Sequence, residues 1–120
     1  EVGSRGLGDV YKRQNYKSSN MYIAMNRFKI VNGFEVEFEE VWKNRDTHLN
    51  NVKGFKNFNL IKGKQNEEYT LYASHSTWDN EEVFIDWTKS DAFRLAHKDA
   101  GKNKKLYIGH PDFEGFRVVI

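Results

Sequence analysis

Residues 22–30 alternate between two kinds of side chain, and this alternation most constrains the fold. Side chains of a strand point to opposite faces in turn, so the alternation predicts a β-strand with one buried face. The face expected in the core carries a tyrosine, an alanine, an asparagine, a phenylalanine and an isoleucine, at positions 22, 24, 26, 28 and 30. The opposite face carries Met25, Arg27 and Lys29. Such a strand requires other elements that cover its apolar face.

The next segment, residues 34–51, has the pattern of a helix. Apolar side chains, including Phe38 and Trp42, recur at spacings of three and four residues, which places them on one stripe. Four glutamates crowd its first half, where the helix dipole favours negative charge. We therefore predict one long amphipathic helix here.

Two further strands are predicted over residues 55–62 and 69–78, with the polar residues 63–68 as the turn between them. Residues 106–108 and 113–120 supply the material for a closing strand.

Between the third strand and this closing material, two short helices are predicted. Asp79, with Glu82 three residues later, resembles a capping box for a helix that runs to Thr88. Ser90 caps a second helix, from Asp91 to about residue 98.

The order β-α-β-β-α-β predicts an α+β, ferredoxin-like fold, in which an antiparallel sheet carries its helices on one face. The other face of such a sheet would be exposed to water, which is unfavourable if it also carries aromatic residues. Two sheets packed face to face would remove this exposure. We therefore expect a homodimer.

The composition narrows the chemistry. A chain of 120 residues is the size of one domain. It has no cysteine, which excludes disulfides, thiolate metal sites, cysteine nucleophiles and covalent c-type haem attachment. No stretch approaches the roughly 20 apolar residues of a membrane helix, and no signal peptide is apparent, so we expect a cytoplasmic protein without a membrane partner.

Residues 1–20 differ from the rest of the chain. They lack apolar periodicity, and the string VGSRGLGDVYKRQ resembles translated adaptor or read-end sequence. Residues 1–20 are therefore interpreted as a non-native or disordered leader, which precedes a domain of residues 21–120. The leader holds four of the 19 basic residues and two of the 17 acidic ones, which leaves 15 of each for residues 21–120. An electrically balanced domain gives no reason to expect a nucleic-acid partner.

Three residues are candidates for a functional site, although each has a simpler explanation. Asn26 interrupts an apolar strand face, where a bond to nearby backbone, or a position on the wetter face of the sheet, would explain it. His97 lies near a helix end, where histidines often complement the helix dipole. Trp87 lies on a helical segment, where tryptophan usually belongs to the core. Taken singly, none of them identifies a function.

Together the three residues resemble a known family, the IsdG-type haem-degrading monooxygenases of the antibiotic biosynthesis monooxygenase (ABM) superfamily. MNRFKI, residues 25–30, is similar to the first strand of that family. FIDWTKSDAFRLAHK, residues 84–98, is similar to its helical segment, with tryptophan and histidine ten residues apart. The resemblance covers residues 21 to about 100 and is weaker beyond. It implies a dimeric α+β barrel.

The resemblance also implies roles for the site residues. His97 would be the axial ligand of haem iron, and the metal site would consist of this one histidine. Asn26 would donate a hydrogen bond toward bound dioxygen or the macrocycle edge, and Trp87 would press on the porphyrin and distort it. Phe93 shares the helical face of His97 and would help to shape the haem pocket, although core packing is its simpler role. Haem would then be both cofactor and substrate.

The resemblance implies haem and dioxygen as partners. The electrons would come from an external donor, because the chain has no glycine-rich nucleotide motif of its own. Two other functions fit the same residues. One is a cofactor-free monooxygenase of quinol-like aromatic substrates, in which His97 is a base or structural. The other is a haem-binding carrier without turnover. Fold alone does not separate the three.

Overall fold

The computed structural model describes residues 20–99 and 101–120, so the predicted leader lies outside the described residues except for Asn20. The described part of the chain contains four strands, three α-helices and one 3₁₀ turn. In order they are β1 (Tyr22–Val31), α1 (Glu35–Lys43), β2 (Phe55–Gln65), β3 (Tyr69–Trp78), α2 (Glu81–Thr88), α3 (Asp91–Ala96), the 3₁₀ turn (Lys104–Leu106) and β4 (Asp112–Arg117).

The four strands form one antiparallel sheet in the order β2-β3-β1-β4. This confirms the predicted ferredoxin-like α+β fold. Strand β1 lies in the interior of the sheet, so each of its residues from 22 to 27 has a neighbour on both sides. Asn26 is paired with Ser74 of β3 and with Phe113 of β4.

The predicted alternation of β1 is confirmed by burial. Tyr22, Ala24, Phe28 and Ile30 are buried, and Ile30 is completely inaccessible to solvent. They belong to two separate core clusters: Phe28 and Ile30 pack with Phe38, whereas the first two residues pack with Leu49 and Trp78. Asn26 lies on the same face between these clusters and is only half-buried. The core is thus interrupted at this point of β1.

The first helix is shorter than predicted, and the prediction of a helix to residue 51 is wrong. Helix α1 ends at Lys43, with Asn44 as its C-cap. Beyond it, a side-chain oxygen of Asp46 accepts a hydrogen bond from the backbone N–H of His48 at 2.9 Å, which competes with the helical pattern. His48 has φ 55°, a left-handed conformation that ends any helix. Leu49 still reaches the core, but from a loop.

The turn between β2 and β3 is also shorter than predicted, because β2 continues to Gln65. The side-chain oxygen of Asn66 accepts hydrogen bonds from the N–H groups of Glu68 and Tyr69 at 2.7 and 2.8 Å, which closes the connection within three residues. Residues 106–108 form no strand within the described chain; Tyr107 makes only an isolated bridge to Ile30.

The two short helices were correctly predicted, with one error of position. Asn80, not Asp79, caps α2, and its side-chain oxygen accepts from the N–H of Val83 at 2.9 Å. Ser90 caps α3 as predicted: its Oγ accepts from the N–H of Phe93 at 3.2 Å. The helix ends at Ala96, so that His97 is its C-cap.

The helices leave one face of the sheet uncovered. Strand register places Ile23, Met25, Leu71, Ile61 and Phe116 on this face. Ile61 is 42% exposed and Phe116 is 44% exposed. An apolar face of this kind is typical of a surface that packs against another protein surface. No helix within the described residues is long and apolar enough to cross a membrane.

Candidate active site

A cavity of about 840 Å³ opens where the core of the sheet is interrupted. Small-molecule sites are commonly several hundred to about a thousand Å³. The sheet forms one side of the cavity, and α2, α3 and the segment after α3 form another. The structure brings all four predicted site residues to this cavity, namely Asn26, Trp87, Phe93 and His97. Their chemical roles stay predictions.

His97 is presented at the end of α3 with one ring nitrogen engaged. Its Nδ1 lies 2.8 Å from the carbonyl oxygen of Phe93. A carbonyl oxygen only accepts, so Nδ1 carries the proton and donates it in this bond. In the neutral ring the other nitrogen, Nε2, then holds an unshared electron pair. This is the arrangement of most metal-ligating histidines, whose second nitrogen is held by a carbonyl or carboxylate.

Aromatic rings hold the imidazole in place. The Phe93 ring stacks on His97 with centroids 4.1 Å apart and an interplanar angle of 26°. Trp87 contacts both residues, with centroid distances of 4.8 Å to Phe93 and 6.1 Å to His97. On its other side Trp87 packs at 5.0 Å against Trp78, which is fully buried. A continuous series of ring contacts thus leads from the buried Trp78 to His97, whose side chain is itself exposed.

Trp87 has a free polar group. Its indole Nε1 is buried and has no hydrogen-bond partner among the residues that the structure describes. An unpaired buried N–H costs roughly 1–3 kcal/mol, so such donors are rare in stable cores. The cavity that Trp87 lines is therefore a place where a ligand could supply the missing acceptor.

Asn26 lies on the sheet side of the cavity. Its side chain makes no hydrogen bond within residues 20–99 and 101–120, although its two strand neighbours, Ser74 and Phe113, also line the cavity. Of its two simpler explanations, a bond to nearby backbone is therefore absent among the described residues, and Asn26 lies on the core-facing side of β1 with Ala24 and Phe28 rather than on the wetter face. The amide is available to a ligand.

Arg45 also lines the cavity, although the sequence patterns did not mark it as a site residue. The guanidinium of Arg45 lies over the ring of Trp42, with its carbon 4.2 Å from the centroid, and forms no salt bridge in the described part of the chain. Burial raises the pKa of the neighbouring Tyr107 above its ordinary value of 10.0, and the charge of Arg45 opposes this rise. Lys104 lines the cavity too. The sequence did not indicate this role for Arg45, because Arg45 was expected to lie within a longer helix.

The side chains do not form an all-protein metal site. Among the described residues, no three histidine, cysteine, aspartate or glutamate side chains come together where they could hold an ion. A metal in this cavity would have to arrive with most of its ligands, as iron does in a porphyrin, and would need one more from the protein. His97 Nε2 is suited to that single bond.

The chain is similar in sequence to known proteins. The sequence model of the family "Antibiotic biosynthesis monooxygenase" matches residues 21–99. The chain is similar to a staphylobilin-producing heme oxygenase of Staphylococcus saprophyticus, with 27% identity over 84 residues that cover 70% of this chain and 80% of the relative.

Two solved structures are similar to this chain in fold, one of a heme-degrader with heme bound and one of a cofactor-independent oxygenase. The heme-degrader MhuD from Mycobacterium tuberculosis, solved with two hemes in its active site, has a TM-score of 0.64 and 23% identity, and the match covers 82% of this chain and 96% of that one. SnoaB, a cofactor-independent oxygenase from Streptomyces nogalater, has a TM-score of 0.59 and 18% identity, and the match covers 84% and 95%. Function must therefore be argued from the site.

Proposed function

The chain belongs to the antibiotic biosynthesis monooxygenase family, and from that premise we propose that it is a haem-degrading monooxygenase. It binds haem through His97 and opens the macrocycle with dioxygen and electrons from an external donor, which releases the iron. The observation that carries the proposal is the bond from Nδ1 of His97 to the carbonyl of Phe93, because it leaves Nε2 free to bind iron. The similarity to staphylococcal heme oxygenases supports the same substrate.

Each part of the cavity suits one part of this substrate. The aromatic rings of Trp87 and Phe93 offer apolar contact to a flat macrocycle. Arg45 and Lys104 offer positive charge to the carboxylates at the edge of haem. Bound haem would supply the iron at which dioxygen is reduced and the ring carbon that is oxidised.

The remaining roles belong to the protein. Asn26, on the sheet side of the cavity, would donate a hydrogen bond to bound dioxygen or to the macrocycle edge. Its amide is too weak an acid to release a proton to either of them. Trp87 packs against the fully buried Trp78 and would therefore press on a bound macrocycle from one side. Such pressure would distort the macrocycle.

A haemin titration tests the ligand. We expect the wild-type chain to give a Soret band of a histidine-ligated complex, and His97→Ala to lose this band position and to bind haemin roughly tenfold or more weakly. His48→Asn is the matched control, because His48 does not line the cavity and asparagine tolerates its positive φ. A wild-type spectrum in His97→Ala would refute the ligand assignment.

Turnover separates the other two candidate functions. Ascorbate with catalase present should bleach the Soret band of the wild-type complex and release iron to a chelator. A complex that survives this treatment would indicate a haem carrier. If the wild-type chain forms no haemin complex at all, a cofactor-free oxygenase of quinol-like substrates becomes the better explanation.

We also propose that the enzyme is a homodimer whose sheets pack through their uncovered faces. The exposed apolar residues on that face, such as Ile61, support this arrangement. Ile61→Glu should convert the dimer to a monomer in size-exclusion chromatography with light scattering. Val36→Glu is the control, because Val36 is 76% exposed on α1 and away from the sheet. A monomeric wild-type chain, or a dimeric Ile61→Glu variant, would argue against this interface.

A further inference from the structure

Three polar side chains line the cavity from the sheet: Asn26 on β1, and Ser74 and Ser76 on β3. The other sheet residues around them are apolar or aromatic, for example Phe28, and Phe113 on β4. Polar groups are costly at such places unless they have partners.

Ser76 has one. Its Oγ accepts a hydrogen bond from Nε1 of Trp78 at 2.9 Å and lies 3.5 Å from the carbonyl oxygen of Ala24, to which it donates. The hydroxyl therefore satisfies the indole of a fully buried tryptophan. This role explains Ser76 without any ligand.

Ser74 has no such explanation. Like Asn26, it makes no side-chain hydrogen bond within the part of the chain that the structure describes, although both residues line the cavity. The two residues are direct partners in the β1–β3 ladder. Directly opposed residues of antiparallel strands point to the same face, with Cβ atoms about 4.5–5.5 Å apart. The cavity thus presents an amide and a hydroxyl side by side, both without a hydrogen-bond partner among the described residues.

We propose that Ser74 is a specificity-determining residue of the haem site, which donates a second hydrogen bond beside that of Asn26 to a small ligand held on the sheet side of the macrocycle. Two donors on neighbouring strands constrain the direction of that ligand more than one donor does. Ser74 would thereby help to select the ring carbon that is oxidised. This inference rests on the proposed function.

The test uses carbon monoxide as the small ligand on the reduced haem complex of the full chain. Ser74→Ala should shift the C–O stretching frequency upward, because a donor near the oxygen is lost. It should also raise the dissociation rate of carbon monoxide by roughly two- to tenfold, the range that corresponds to one lost hydrogen bond. Ser74→Thr keeps the hydroxyl and should retain the wild-type frequency. The ratio of tetrapyrrole products should change only in the alanine variant.

Thr77→Val serves as the control, because it removes a hydroxyl from β3 on the opposite face of the sheet and should leave the frequency unchanged. Ser74→Cys, which keeps the size with a weaker donor, replaces the alanine variant if that variant does not fold. An unchanged frequency and product ratio in Ser74→Ala, or in Ser74→Cys where it replaces the alanine variant, with a normal wild-type haem complex, would overturn the role of Ser74 alone. Failure of the wild-type chain to bind haem would overturn the proposed function itself, and this inference with it.

Discussion

Ser90 connects the two helices that carry Trp87 and His97, and its removal should weaken the site without removing any ligand. Its Oγ donates to the carbonyl of Trp87 at 2.6 Å and accepts from the N–H of Phe93 at 3.2 Å. The first bond holds the end of α2, and the second caps the start of α3. Because α3 has only six residues, it depends on this cap and on tertiary contacts.

The cost of Ser90→Ala follows from these two bonds. Loss of a serine N-cap destabilises a protein by about 1 kcal/mol. Loss of one further intramolecular hydrogen bond adds about 1 kcal/mol. A total of about 2 kcal/mol corresponds to a fall in Tm of about 8–16 °C for a domain of this size. If the whole loss of about 2 kcal/mol destabilised α3, which must be ordered when haemin binds, haemin affinity would fall by at most about thirtyfold.

Differential scanning calorimetry and haemin titration measure both effects. Because His97 remains, the Soret maximum of the Ser90→Ala complex should match the wild type even though its affinity is lower. Ser90→Asp keeps the cap acceptor but not the donor, so it should show about half of the fall in Tm. Ser90→Thr should retain both bonds. Wild-type stability and affinity in Ser90→Ala would refute the claim that this hydroxyl supports the site.

Two other predictions concern stability. A Cβ atom at Gly115 would collide with the phenol oxygen of Tyr22. Gly115→Ala should therefore lower the free energy of unfolding by about 1–3 kcal/mol in urea denaturation, and the same substitution in a Tyr22→Phe background should recover part of this loss. The hydrogen bond from Thr70 lowers the pKa of Glu35 below its ordinary value of 4.5. The stabilisation from Glu35 is therefore complete above pH 4.5 and is lost as the pH falls through the lower folded-state pKa. Glu35→Gln should consequently show a smaller loss of Tm between pH 6 and pH 3 than the wild type; an identical pH profile would contradict this assignment.

Much of the fold and part of the site were predictable because the signals are local. A side-chain period of two identified β1, and β3 was predicted with its correct bounds, residues 69–78. Ser90 was predicted as a cap from its position before a helical pattern, since capping involves only the next three residues. The choice of Asn26, Trp87 and His97 as candidates came from a family resemblance over residues 21–100, not from periodicity.

The errors arose where two local patterns compete. Apolar spacing alone favoured a helix beyond Lys43, but the side-chain bond of Asp46 and the positive φ of His48 end it. Asp79 and Asn80 are both good cap residues, and the structure uses Asn80, whose side-chain oxygen accepts from the N–H of Val83. Propensity does not rank such alternatives, because their energies differ by less than the packing energy of the elements around them.

The sequence by itself determined which residues face the core along each strand, since that depends on parity within one segment. Only the tertiary structure decided how the strands are aligned. Register placed Ser74 beside Asn26, and the gap between two core clusters opened a cavity at that point. Packing of α3 against α2 brought the ring of His97 to the same cavity. These relations join residues up to 71 positions apart, from Asn26 to His97, and no local propensity encodes them.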